Sequence, residues 1–165
     1  MSARGIPRVE PLFDAIVEVG SVESLQTMAM GERRVIAITG GTVNPAPGAG
    51  AAGGLFRGRV LAVGEDWQWA RSDDILELSA HYVLELDSGE RIEVSAEGFR
   101  HGPADVLARI AAGEPVEPDE YYFRTSVRMR TSASNPAIAR LNGLVIVCAA
   151  ERRARQVCLS YYAVV

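Results

Sequence analysis

The chain has 165 residues, 48% of them apolar and 23% charged, with a formal net charge of −4. This is the balance of a globular chain forming one domain over residues 1–165, with enough core to need no metal or disulfide. All 17 basic residues are arginine, which excludes Schiff-base chemistry on a lysine and a P-loop lysine, and the acidic balance argues against a nucleic-acid partner.

Apolar runs such as Leu144–Ala150 fall far short of the ~20 residues of a membrane span. No apolar segment follows Met1–Gly5 as it would in a secretory signal. The expectation is a cytoplasmic chain with no membrane contact.

In chain order, Leu12–Val19 and Arg33–Thr39 read as the first strands. Ile38-Thr39-Gly40-Gly41-Thr42 ends the second with small residues. Paired glycines let a ligand approach the backbone and Thr39 offers a hydroxyl, so Thr39, Gly40 and Gly41 are candidate ligand-binding residues; a plain strand end and turn is the competing reading. Residues 40–54 are rich in Gly, Ala and Pro, and Gly48, Gly50 and Gly53 spell G-x-G-x-x-G. Pro45 and Pro47 stand where a strand should precede that motif, and strand-like Leu55–Val63 follows it, so a mobile surface loop is expected and not a nucleotide site.

Asp66-Trp67-Gln68-Trp69-Ala70-Arg71 places Trp67, Trp69 and Arg71 on one face and Asp66 and Gln68 on the other. The tryptophans and arginine are arranged to stack on a planar carboxylated ligand, or to form a core patch. Asp66, if desolvated, is a general base. Ile75–Leu86 is the clearest strand: Leu76, Leu78, Ala80, Tyr82, Leu84 and Leu86 share one face and His81 lies on the other. Asp87–Glu90 is a turn into a partner strand, Arg91–Ala96. Pro103–Ala112 is the one credible helix, about ten residues long, started by Pro103 and ended by Gly113; so short a helix must dock, and a barrel end is the natural place.

In Tyr121–Thr131, Tyr122, Arg124, Ser126, Arg128 and Arg130 share one face, and Tyr121, Phe123, Thr125, Val127 and Met129 the other. An inward arginine face would make an anion or enolate site, an outward one plain surface. Leu144–Ala150 and Gln156–Val164 flank Glu151-Arg152-Arg153-Ala154, expected to be a solvated turn. A tight hairpin there sets Cys148 opposite Val157 and leaves the two cysteines on different faces, as unbonded structural thiols. No metal-ligand spacing is present. The strands together predict an all-β, closed antiparallel barrel of nine or ten strands with one short helix, because closure removes exposed edges, and such a barrel holds one small ligand.

Several motifs also occur together in a familiar order: Glu10-Pro11-Leu12-Phe13, Gly31-Glu32-Arg33-Arg34, Ile38–Thr42, Arg57–Leu61, Asp66-Trp67-Gln68, Leu78–Tyr82, Tyr122–Thr125 and Leu141-Asn142. In this the chain resembles, over nearly its whole length, the small bacterial and fungal β-barrels of the domain of unknown function 3237, also called the uncharacterised protein family 0311. The resemblance implies a barrel lipocalin-like in outline with one pocket, and relatives associated with ring closure or isomerisation of aromatic or polyketide-like carbonyl compounds without a cofactor. Thr39, Gly40, Gly41, Asp66, Trp67, Tyr82, Arg124 and Asn142 fall on the shared motifs. Met129-Arg130-Thr131 departs from a family pattern that commonly reads phenylalanine-glutamate-threonine.

The expected function is therefore small-molecule binding. In the enzymatic form, a cofactor-independent cyclase or isomerase, Asp66 takes a proton α to a carbonyl, Arg124 steadies the enolate, and Tyr82 or Thr39 donates a hydrogen bond. The alternative is a non-catalytic carrier or sensor of a small aromatic ligand, and a third class is a homo-oligomer with a vestigial pocket. An enzyme's pocket holds a carboxylate of raised pKa beside a donor; a carrier's is mainly apolar.

Overall fold

Eight antiparallel strands close into one barrel, each paired with its chain neighbours and the first with the last. The computed structural model describes residues 5–165; Met1–Arg4 lie outside the described residues. The elements in order are β1 (Val9–Met28), β2 (Gly31–Pro45), α1 (Gly50–Gly53), β3 (Gly58–Arg71), β4 (Leu76–Leu86), β5 (Arg91–His101), α2 (Ala104–Ala111), a 3₁₀ turn (Pro118–Glu120), β6 (Tyr122–Arg130), α3 (Pro136–Ala139), a second 3₁₀ turn (Arg140–Gly143), β7 (Ile146–Arg152) and β8 (Gln156–Val164). Among the described residues, no helix is long and apolar enough to cross a membrane.

Period-two alternation decides which side chains point inward. On β4, Leu76, Leu78, Tyr82, Leu84 and Leu86 are buried while Ser79 and His81 are exposed. The inner faces of β5, β6 and β7 follow the same rule with Ile92 and Val94, Val127 and Met129, and Ile146 and Cys148.

One end of the barrel is sealed from the glycine-rich stretch. Val43 belongs to β2, Gly50–Gly53 form one helical turn, and Phe56 drops into the core, stacked on Phe13 at 4.6 Å between ring centroids. Ile138 and Leu141 pack beside them. The expected mobile loop is thus an ordered lid, because Phe56 has an apolar slot to fill. The opposite end takes α2, whose Val106 and Ile110 pack on Leu78, Tyr121 and Phe123. Gly113, at φ +74°, ends this helix with its own N–H on the Ile110 carbonyl and the Glu114 N–H on the Arg109 carbonyl, both at 3.0 Å.

The barrel has eight strands and not nine or ten because Leu55–Val63 and Trp67–Arg71 belong to one strand, β3. Gly64 (φ +106°) bends it without ending it, at a point where a Cβ would sit 2.1 Å from the His81 carbonyl oxygen. The β7–β8 hairpin is also longer than the tight turn expected: β7 runs on through Arg152, so Cys148 faces Tyr161 and Arg152 faces Val157.

The cysteines do fall on different faces and are unbonded. Cys148 is 1% exposed, and burial pushes its thiol up to about 12. Cys158 is only half-buried. In the native protein a thiol reagent should therefore label Cys158, with Cys148 labelled only as fast as the barrel unfolds; equal native labelling of both would refute this placement.

Candidate active site

β1 pairs with β8 only from Val9 to Glu18. Beyond that point the inner wall of the β1–β2 hairpin faces α2 and the β7–β8 turn instead of another strand. The barrel opens there, and its lining changes from apolar to polar.

Below the opening lies a cavity of about 50 Å³ walled by Val17, Ile38, Leu78, Phe123 and Leu159, with Asp66, Tyr82 and Thr125 as its polar members. The space follows from the register: Asp66 stands opposite Ala80, and Ala80 opposite Ala96, so two small side chains sit in one row across three strands. Above it a cleft of about 390 Å³ is lined by Arg34, Gln68, Arg100, Ile110 and Arg152 among others.

Asp66 lines the inner cavity and is hydrogen-bonded to Gln68, which lines the cleft. Its Oδ2 accepts a 2.7 Å hydrogen bond from Gln68 Nε2, while its Oδ1 is buried without a partner among the described residues. Burial raises the carboxyl from an ordinary 3.8 to about 6, against the opposing pull of the Gln68 hydrogen bond and the Arg100 and Arg152 charges. Arg100 lies 5.7 Å over the Phe123 ring, and its Nε is also buried and unpartnered among the described residues. Burial and the neighbouring Arg152 charge bring Arg100 down to about 10, so it stays protonated at neutral pH. Arg152 is lowered by burial too; its backbone N–H donates to the Tyr121 hydroxyl at 2.8 Å.

Deeper in, the Tyr82 and Tyr161 hydroxyls are 2.5 Å apart. Burial raises both phenols well above their usual range, so they remain protonated. A bond between two hydroxyls uses one hydrogen and leaves the other to donate elsewhere. Asp66 as base beside a donor is a pair suited to proton transfer.

Of the residues singled out from the sequence, Asp66 and Tyr82 come together in this cavity and the others do not. Thr39 is exposed on the outer wall. Gly40 and Gly41, at φ +150° and +139°, pair with Glu18 and Val17 of β1 beside a bulge in β2 at Thr39. A Cβ on Gly41 would sit 2.0 Å from the Ile16 carbonyl oxygen, so Gly41 serves the close approach of two strands. Trp67 and Trp69 lie outside, with Arg33 over both rings at 5.1 and 4.9 Å. That wall has a larger concavity, about 400 Å³, but neither of the two unpartnered buried polar atoms lies in it. Asn142 is an exposed corner brace, its side chain bonded to both the N–H and the carbonyl of Thr131 at 2.9 Å.

Arg124 also corrects the expectation. The whole arginine face of β6 points outward, because Tyr121, Phe123, Thr125, Val127 and Met129 fill the inside. Its guanidinium donates to the Phe123 carbonyl at 2.9 Å and lies 5.8 Å from the Tyr122 ring. Arg124→Met should accordingly change stability by ~0.5 kcal/mol or less in urea unfolding and leave ligand binding unaltered; a loss of several degrees in Tm would show a role this placement denies.

Arg100, Arg152 and Gln68 replace it. A signal for the two arginines lies in strand phase. Ile92, Val94 and Ala96 continue at period two through Gly98 to Arg100, and Ile146, Cys148 and Ala150 continue to Arg152.

The chain matches the family described as "Protein of unknown function (DUF3237)" over residues 7–164. It is 34% identical over 153 residues to UPF0311 protein RPA1785 of Rhodopseudomonas palustris, covering 93% of this chain and 94% of that one. The crystal structure of that conserved protein of unknown function superposes with a TM-score of 0.86 over 98% of this chain and 100% of the other. A β-barrel-like protein from Acinetobacter baumannii, 32% identical, superposes with a TM-score of 0.81 over the full length of both. An enzyme from Penicillium herquei shares the fold at 18% identity, with a TM-score of 0.70 over the full length of both chains. By profile, sequence and fold, the chain belongs to the DUF3237 family, whose members include the UPF0311 proteins.

Proposed function

We propose that this barrel is a cofactor-independent acid–base catalyst, an isomerase or cyclase acting on a small aromatic or polyketide-like compound with an enolisable carbonyl. The observation that carries the reading is the buried, unpartnered Asp66 Oδ1 at the cavity, beside a protonated Arg100 and within one strand of the Tyr82 hydroxyl. Resting near pH 6, Asp66 is ionised at neutral pH yet basic enough to take a carbon-bound proton.

Asp66 removes the proton α to the carbonyl, and the electron pair moves onto the carbonyl oxygen. Tyr82 donates a hydrogen bond to that oxygen, and the positive charge of Arg100 offsets the developing negative one. With Tyr161 as the donor in its bond to Tyr82, the Tyr82 hydrogen is free for this task. For isomerisation, Asp66 returns the proton to a different carbon. For ring closure, the enolate carbon attacks a second carbonyl of the same molecule and Asp66 protonates the resulting alkoxide. Sharing a fold with the Penicillium herquei enzyme is compatible with either outcome.

The test uses 4-hydroxyacetophenone and a small aryl 1,3-diketone in D₂O, with exchange of the α-protons followed by NMR. Wild type should accelerate exchange with a rate that rises as pH passes about 6, and Asp66→Asn should lose about 10²-fold or more. Exchange indifferent to Asp66→Asn would overturn the reading. Binding of both compounds with no exchange would instead support a carrier.

A further inference from the structure

We infer that the cleft above Asp66 is a subsite for an anionic group, and that the ligand of this barrel is an aromatic carboxylic acid whose carboxylate is held by Arg152 and Arg100 while its ring reaches down toward the cavity. This names a ligand class for the site described above. It rests on the reading that the barrel holds a small ligand, but does not require proton transfer.

Four arginine and carboxylate side chains line the cleft, and one pair is internally satisfied: Arg34 bonds Glu32 at 2.6 Å. Arg100 and Arg152 form no ion pair among the described residues. The guanidinium of Arg152 has only a long contact, 3.5 Å, to the Ala154 carbonyl. Asp66 is the one nearby carboxylate left, and it bonds Gln68 instead of either arginine.

Two partly desolvated guanidiniums that repel one another are costly to keep unless something bound between them supplies negative charge. A carboxylate presents two oxygens to such donors and matches guanidinium geometry. The rest of the cleft is apolar enough for a ring: Val22, Ile36 and Ile110 contribute to its wall. Its volume, about 390 Å³, falls within the range of small-molecule sites. Arg100 borders both spaces, since it lines the cleft and lies over Phe123, a wall of the inner cavity.

The experiment compares 2-naphthoate with 2-naphthamide by titration calorimetry. The two share a ring system and differ in charge. Wild type should bind the acid at least about tenfold tighter than the amide. Arg152→Gln should remove that preference, and because Arg152 is partly exposed this variant should fold. Arg128→Gln, on the outer wall, should keep it. The preference is read in wild type and at Arg152 and needs no proton transfer, so failure of the proton-transfer reading leaves this result intact. The inference is overturned if wild type binds the two alike or prefers the amide, if it binds neither, or if Arg152→Gln retains the preference.

Discussion

Asp66→Asn is expected to stabilise the folded barrel at neutral pH while removing its proton-transfer activity. The folded carboxyl titrates at about 6 against an ordinary 3.8. Between these values folding takes up a proton, so the Asp66 contribution falls as pH rises through that window, and above about 6 the full cost of an ionised, buried carboxylate is present. A raise of about two units is worth ~3 kcal/mol at most. Asparagine keeps the shape and the acceptor for Gln68 but carries no charge, so the variant should gain ~1–3 kcal/mol at pH 8 and nothing at pH 3. Thermal unfolding at both values checks this, and a variant destabilised at pH 8 would contradict it. Opposite signs for stability and activity are what a functional site predicts and a structural aspartate does not.

Phe13→Ala should produce the largest loss of stability. Phe13 is 0% exposed and lies between Phe56, at 4.6 Å, and Tyr161, at 4.8 Å. Truncation leaves a cavity lined by two aromatic rings that cannot collapse, a change worth ~3–5 kcal/mol, or ~6–20 °C in Tm for a chain of this length. It also frees Phe56, the anchor of the α1 lid, so proteolysis between residues 46 and 55 should accelerate before global unfolding. A cost of ~1 kcal/mol or less, with no change in cleavage, would mean that the lid is held by other contacts.

The pattern of β4 shows why the barrel was legible from sequence. Its alternation from Leu76 to Leu86 is nearly unbroken, and a strand with one apolar face has one way to sit on a core. Asp66 and Tyr82 were legible for the same reason. Gln68, one residue pair away from Asp66, shares its face. Arg100 and Arg152 were hidden because each follows the last apolar residue of its strand, where an arginine resembles the start of a turn. Both strands continue in phase, and the arginines become inner wall near the barrel mouth.

Arg124 misled in the opposite direction. Tyr121, just before β6, is buried and Tyr122, its first residue, is exposed, so aromatic content did not separate inside from outside. Thr39, Gly40 and Gly41 are part of a motif that supports strand geometry, and nothing in one sequence distinguishes a glycine kept for backbone approach from one kept for a ligand.

The most direct test of the Asp66-centred site is the titration of its carboxyl carbon by ¹³C NMR in selectively labelled protein, with Asp66→Asn to assign the resonance. The buried, partly unpartnered carboxyl described here should titrate with a midpoint near 6. A midpoint at or below about 4, the ordinary range for aspartate, would mean that Asp66 is solvated or fully paired, and the acid–base site would not exist.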